Sequence, residues 1–444
     1  MDSSVVALSP EPREAGLVYG RLAGGFIRER LGRMWDVVRT GGASQGEVEE
    51  RGREFRRIAQ RIAPEWLDEA QGIAEGAGVE ADDLLILNAL PTDFWPTPGC
   101  TTLVATGSCS AEGATLLHKN RDLRNEVQTF EVRRLADGQV FASREVGSLG
   151  YGHFHSDRAL AGANNTGSPI PERELRPCGL TCAHLLRLVA ERAGSCDEAL
   201  ATLDLALSRE VAGGSGGTRG MVFIFAEPQR AVVAEMTSRR MAYREIEDDA
   251  LVRTNHFILK ETARVASEPP SQNTTRRFER ASEILAGLDA LSVGDLLALA
   301  RDHADGPDSI CSADAEHPWM TVSACTHLVR PNTSDPLAHT RAMMGNPRNT
   351  LAIPVPRAID GLPQVCVSGM LHDLARRLYA ARGLGDHLAA IQREREQAMA
   401  DELASAKQGP PELLRERLTA MVGRWVEATT SLLREEVRKA ESED

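Results

Sequence analysis

The chain has 444 residues, 42% of them hydrophobic, and a formal net charge of −13. That length carries two or three domains or one large α/β body with appendages, and its apolar content suffices for a sizeable core. The acidic balance argues against a nucleic-acid partner, and eight scattered cysteines argue against a disulfide scaffold and for a reducing, cytoplasmic setting.

In chain order, Met1–Val6 lacks a basic stretch followed by a long apolar one, so no secretory leader is expected. No apolar run approaches membrane-spanning length. Residues 15–80 read as helices: Leu17, Leu22, Phe26, Leu31 and Trp35 recur at helical spacing, as do Phe55, Ile58, Ile62 and Trp66. Pro64 suits a first helical turn, and Gly76 with Gly78 suits its stop. A short helix over 81–90 follows, then a loop with Pro91, Pro96, Pro98 and Gly99.

From Thr101 the texture changes to short strands, predicted at 101–106, 114–119, 129–135, 139–146 and 158–163, with turns at Glu112-Gly113 and Asp137-Gly138. Residues 179–206 read as helical, and Gly213–Gly217 as a loop that lacks both the spacing and the lysine of a phosphate loop. Strands are expected at 220–226, 230–236 and 241–246, helices at 275–288 and 294–303, and strands again at 319–328 and 347–354. Residues 375–444 read as a helical appendage. Its stripe Leu414, Leu418, Met421, Trp425, Ala428 and Leu432 suits packing on the body or on a second copy of the chain. Elements in blocks rather than in alternation suit antiparallel sheets covered by helices, an α+β class.

The chemistry centres on Cys100. A breaker-rich loop delivers this cysteine to the first position of the β-branched run Thr101-Thr102-Leu103-Val104. A thiol there can attack the carbonyl before it, and Gly99 suits the contorted backbone that such an attack needs. Breaking Gly99–Cys100 frees an α-amine with a solution pKa of about 8, able to act as general base for the residue's own thiol. The competing reading of Cys100 is a small buried hydrophobe. Asp122 follows the next strand, and a hairpin returns it beside Cys100; alternatively it is a surface carboxylate in a charged turn, Lys119–Asp122.

Several separated motifs, in order, resemble the isopenicillin N / acyl-CoA:6-aminopenicillanate acyltransferase family of N-terminal-nucleophile hydrolases, with choloylglycine hydrolases and acid ceramidases as more distant relatives. They are Gly72-Ile73-Ala74-Glu75-Gly76-Ala77-Gly78 with Leu87-Asn88, Gly99-Cys100-Thr101-Thr102, Asn120-Arg121-Asp122, Gly162–Gly167, Thr254-Asn255-His256-Phe257, and Asp302-His303 with Ser309-Ile310-Cys311 and Gly345-Asn346-Pro347. The resemblance covers roughly residues 15–355. It implies a four-layer αββα sandwich, to which the appendage read above adds a helical C-terminal extension. Together they divide the chain into a helical propeptide segment (1–99), a catalytic body (100–374) and the extension (375–444).

The resemblance further implies cleavage between Gly99 and Cys100, after which Cys100 carries a thioester and passes the acyl group to water or an amine. Asp122 would hold or orient the α-amine, Asn255 would donate to the oxyanion, and Asn164 would orient the amine or line the oxyanion site. Arg277, or its neighbour Arg276, would stand near the carboxylate. Arg121 replaces an aromatic common among relatives, which affects the pocket more than the role of Asp122. The implied substrate is a small acyl amide or acyl thioester, with no metal or cofactor and with acyl-CoA compatible as co-substrate. The alternative is a non-catalytic relative that binds partners through its C-terminal helices.

Rival signals are weaker. His153-Phe154-His155-Ser156-Asp157 resembles the start of a zinc-hydrolase motif, with both histidines on one strand face, but Arg158 stands where that motif continues with His. Cys178 and Cys182, four apart, could share a helix face. Glu235 closes a strand and is assigned no role.

Overall fold

The computed structural model describes residues 4–41, 44–90, 99–124, 126–176, 178–215, 218–313, 319–378, 384–408 and 410–443. Pro91, Pro96, Pro98, Gly216 and Gly217 lie outside them. After a two-residue strand, β1 (Val5–Val6), come four helices: α1 (Pro12–Thr40), α2 (Gln45–Ile62), α3 (Glu65–Ala77) and α4 (Ala81–Ala89). Pro12 opens α1 and a Ser44–Glu47 capping box opens α2. Helices α1 and α3 touch backbone to backbone. A Cβ at Gly16 would lie 2.2 Å from the Glu69 carbonyl oxygen, and one at Gly72 would lie 2.1 Å from that of Arg13. The glycines of the 72–78 motif thus serve helix contact. Gly76 sits inside α3, and only Gly78, left-handed at φ 67°, ends it.

Next come β2 (Cys100–Ala105), β3 (Thr115–Leu123), β4 (Gln128–Leu135), β5 (Gly138–Glu145), β6 (His153–Ser156) and β7 (Ala161–Pro169). Helices α5 (Cys182–Arg192) and α6 (Cys196–Ser208) divide the predicted 179–206 helix at Gly194. They lead to β8 (Arg219–Ala226), β9 (Ala231–Met236), β10 (Met241–Ile246) and β11 (Ala250–Arg253). After α7 (Lys260–Ala263), α8 (Gln272–Ala286) and α9 (Val293–Leu299) come β12 (Met320–Val329), β13 (His339–Met343), β14 (Ala352–Pro356) and β15 (Leu362–Pro363). The predicted strand at 158–163 breaks at a turn through Ala159 (φ 58°), and β13 has no counterpart in the predicted pattern.

The strands form two antiparallel sheets, ordered β10-β9-β8-β7-β6-β5-β4 and β11-β2-β3-β12-β13-β14, while β1 pairs with β15. The two-residue side-chain period assigns each strand's faces to different cores. Val104, Leu117, Val222, Ile224 and Val233 meet between the sheets. Leu103, Leu116, Ala324 and Met343 pack with Leu296 and Leu297 of α9. Phe223, Phe225, Val232 and Ala234 pack in the same cluster as Leu185 and Leu188 of α5.

The helical end begins at α10 (Gln364–Val367) and continues through α11 (Met370–Arg377), α12 (Leu384–Ala406) and α13 (Leu414–Glu443). The α13 stripe covers the body: Leu418, Met421, Val422 and Val426 join the largest core, against α11, β14 and β15. No helix among the described residues is long and apolar enough to cross a membrane.

Candidate active site

Cys100 is the first residue of β2 and is 5% exposed. Its neighbours are set by register. In the β2–β3 ladder Cys100 pairs with Arg121 and Thr102 with Lys119. The alternation therefore places the thiol, Lys119 and Arg121 on one face of the sheet, and Asp122 on the other. Residues 119–122 are buried strand residues; the charged-turn alternative for Asp122 does not describe them.

The Gly99–Cys100 peptide is gripped from several sides. The Asp122 N–H donates to the Gly99 carbonyl at 2.9 Å, and the Cys100 N–H donates to Asn255 Oδ1 at 2.8 Å. Arg277 Nη1 donates to the Cys100 carbonyl at 2.5 Å, and its Nη2 donates to Asn255 Oδ1 at 2.8 Å. Gly99 is not in the left-handed region. Its lack of a side chain serves close approach instead, since a Cβ there would lie 2.6 Å from Asp122 Oδ2.

Helix α8 holds this web. Asn273 Oδ1, one turn before Arg277, accepts from Nε at 3.1 Å and from Nη2 at 2.8 Å. Thr274 Oγ1 accepts the Asn255 N–H at 2.8 Å. Arg277 is buried, with Nη1 3.8 Å from Asp122 Oδ2; burial lowers its pKa, while Asp122 and Cys100 oppose that. Arg276 points outward to Asp308, so Arg277 is the arginine at Cys100. Thr321 Oγ1 donates to Asp122 Oδ1 at 2.6 Å. Asn346 Nδ2 donates to the Ser312 and Thr321 carbonyls, and Asn120 Nδ2 to those of Ala300 and Ile310. Asn346 thus braces the strand carrying Thr321, while Asn120 ties β3 to the segments at Ala300 and Ile310.

Asn255 and Asn164 are both near Cys100, but neither has its amide nitrogen on the Gly99–Cys100 peptide. Asn255 presents its oxygen to Cys100 and donates from Nδ2 to the Thr166 carbonyl at 2.9 Å. Asn164 donates to the Tyr151 carbonyl at 2.9 Å and lines the cavity beside Cys100.

Two buried residues beside the site, Lys119 and Asn165, were not among the expected ones. Lys119 is fully buried; its ammonium donates to the Asn164 carbonyl and to Asn165 Oδ1 at 2.5 Å, and the Cys100 thiol lies on the same sheet face. Burial lowers its pKa, and the thiol works against that shift. Asn165 joins Lys119 and Thr102 to the Arg253 and Thr254 carbonyls. Counting back in twos from Arg121 finds Lys119, and Asn165 lies within the quoted 162–167 motif.

The thiol opens on a cavity of about 100 Å³ lined by Arg30, Arg121, Glu145, Leu87, Leu90 and Asn164, among others. A larger groove, about 630 Å³, runs along α13 and does not include Cys100. His153 and His155 lie with His327 at ring separations of 5.2 and 5.4 Å, buried and well below their usual pKa because of that burial. Among the described residues no three His, Cys, Asp or Glu side chains are grouped to hold a metal. Cys178 precedes α5, whose first residue is Cys182, so the two do not share a helix face. Glu235 accepts from the Ile258 and Leu259 N–H groups and from Thr262 Oγ1, tying down the chain just after Asn255.

The family described as acyl-coenzyme A:6-aminopenicillanic acid acyl-transferase matches residues 165–335, a segment that contains Asn255 and Arg277. The 40 kDa form of acyl-coenzyme A:6-aminopenicillanic-acid-acyltransferase from Emericella nidulans is 24% identical over 317 residues, 69% of this chain and 83% of that protein. A mutant conjugated bile acid hydrolase from Clostridium perfringens aligns in structure at TM-score 0.38 and 9% identity, covering 58% of this chain and 92% of that one. An N-acylethanolamine-hydrolyzing acid amidase ortholog from Caenorhabditis elegans aligns at TM-score 0.35 and 13% identity, covering 52% and 92%. By sequence, the chain is similar to the acyl-coenzyme A:6-aminopenicillanic acid acyl-transferase family over residues 165–335.

Proposed function

We propose that the chain is a self-processing cysteine N-terminal-nucleophile enzyme, an acyltransferase or amide hydrolase acting on acyl amides or acyl thioesters. Its stacked sheets and covering helices are read as an αββα sandwich, and residues 1–99 as the segment severed from the catalytic body. The observation that carries this reading is the grip on one peptide bond. The carbonyl before Cys100 accepts from Asp122, and the nitrogen of Cys100 donates to Asn255.

In processing, Cys100 Sγ attacks the Gly99 carbonyl carbon while the Asp122 N–H steadies the oxygen that gains charge. The C–N bond breaks, the nitrogen takes a proton as the α-amine, and Gly99 is left as a thioester. Water hydrolyses that thioester to the Gly99 carboxylate and the free thiol. In turnover, the α-amine, held by Asn255 Oδ1, takes the thiol proton as sulfur attacks the substrate carbonyl. Protonated, it returns the proton to the leaving group. Water or an amine then takes the acyl group from Cys100. No cofactor enters these steps, acyl-CoA fits as a thioester donor, and the cytoplasm is the expected setting.

The test is intact mass under denaturing conditions, wild type beside Cys100→Ala. Fragments 1–99 and 100–444 in the wild type with an uncut mutant are expected. An uncut wild type, or a cut mutant, overturns self-processing by Cys100.

A further inference from the structure

We infer that the cavity beside Cys100 recognises a carboxylate on the substrate, through Arg30 and Arg121. The inference rests on the proposed use of this cavity as the substrate site. Arg121 shares the thiol's sheet face, and Arg30 reaches the same wall from α1. Both guanidinium groups are fixed by the framework. Arg121 donates to Gln128 Oε1 at 2.5 Å and to Glu145 Oε1 at 2.9 Å. Arg30 donates to the Val146 carbonyl at 2.5 Å and to Glu145 Oε2.

The charge count decides the sign. Two buried arginines share one carboxylate, Glu145, which leaves the wall with a net positive charge next to a buried Lys119. A net cation held in a low-dielectric wall favours an anion over a neutral isostere. The backbone makes room for it: a Cβ at Gly152 would lie 2.7 Å from Arg121 Nε and Cζ, so the guanidinium lies flat on that glycine. Leu87 and Leu90 leave an apolar approach to the charged end. The cavity thus fits a short apolar chain ending in a carboxylate, borne on either the acyl or the amine side of the scissile bond.

The first measurement is protection of Cys100 from iodoacetamide, read by peptide mass, with glutarate against glutaramide. Glutarate is expected to protect at a concentration lower by about tenfold or more, the usual scale of a charge-assisted hydrogen bond. Arg121→Gln and Arg30→Gln should each shrink that ratio, whereas Glu145→Gln should not. Equal protection by glutarate and glutaramide in the wild type overturns the inference, even if the protein hydrolyses amides. Glutarate protection without turnover of any acyl amide or thioester upholds the inference and removes the enzymatic reading. Two substrate pairs then locate the anion: glutaryl against glutaramoyl p-nitroanilide, and N-butanoyl 4-aminobenzoate against the corresponding benzamide. A preference for the carboxylate in the first pair places it on the acyl side, and in the second on the amine side. A wild type that turns over both members of both pairs alike overturns the inference.

Discussion

Cys100 stands where two sets of residues meet through opposite faces of one sheet. On the thiol's face lie Lys119 and Arg121; across the sheet, Asp122 and Arg277 abut the backbone of Gly99 and Cys100. Under the proposed function, one face would handle the peptide bond and the other would receive a substrate. Gly99→Ala tests the first. The added methyl would sit 2.6 Å from Asp122 Oδ2, so either the carboxylate or the peptide must shift. A misplacement on that scale costs on the order of a hundredfold in rate. Self-cleavage followed by mass over time should slow by roughly that factor, and an unchanged rate would show that the contact does not set the geometry. Lys119→Met tests the thiol's face: it leaves the buried Asn164 carbonyl and Asn165 Oδ1 without their donor and should lower stability by roughly 1–3 kcal/mol, measured by denaturant unfolding; an unchanged midpoint would mean that Lys119 does not hold this face together. Cys100, Asp122 and Asn255 were legible because each sits in a motif. Lys119 was not, because a lysine beside two other charged residues reads as solvated turn until the strand pairing buries it.

At the scale of elements, α3 is tied to the sheet by charge as well as by close packing. Glu69 is fully buried and pairs with Arg133 and Arg144 at 2.9 Å, and with Arg187. Burial alone would raise its pKa, but Arg133, Arg187 and Arg144 overcome that and hold it far below the usual carboxylate range. Trp66 Nε1 donates to Glu191 Oε2 at 2.9 Å, adding another tie from α3 to α5. Glu69→Ala would leave three buried cations short of a partner and should lower stability by roughly 3–5 kcal/mol, measured by denaturant unfolding. A loss under about 1 kcal/mol would mean that Glu131 and Glu191 take over its role. The same ties predict that fragments 1–99 and 100–444 co-elute in native buffer after cleavage and separate only in denaturant. The 3.6-residue pattern showed these helices, but not why Gly72 and Gly76 belong to them. A glycine inside a helix signals an end when read locally, and the reason here is the backbone of α1, more than fifty positions earlier in the chain.

The molecule as a whole buries titratable groups that no local pattern marks. Block texture predicts antiparallel sheets and helices, yet β13 becomes a strand through its pairing with β12 and β14, and the 179–206 helix breaks at Gly194 where Ser195 caps a new one. The histidines show most fully what the assembled fold adds. His118, His153, His155, His184, His256, His327, His339 and His372 are all buried. Burial lowers the pKa of His118 and His256 to about 4 and of His184 and His372 to about 3, and carries the other four well below 6.5. The folded chain therefore keeps them neutral where the unfolded chain protonates them. Above pH 6.5 both states are neutral and these groups leave stability unchanged. Below it the unfolded state binds more protons, so stability falls with pH until the folded-state values are reached. Each such histidine contributes about 1.4 kcal/mol of loss per pH unit in that window. Several acting together exceed the margin of an ordinary domain within about two units. Urea midpoints should hold steady from pH 8 to 7 and then drop steeply between pH 6.5 and 4.5. Constant midpoints across the lower range would mean that the buried rings take up protons in the folded state. His184→Phe should soften the drop, because it removes one of the protons taken up on unfolding.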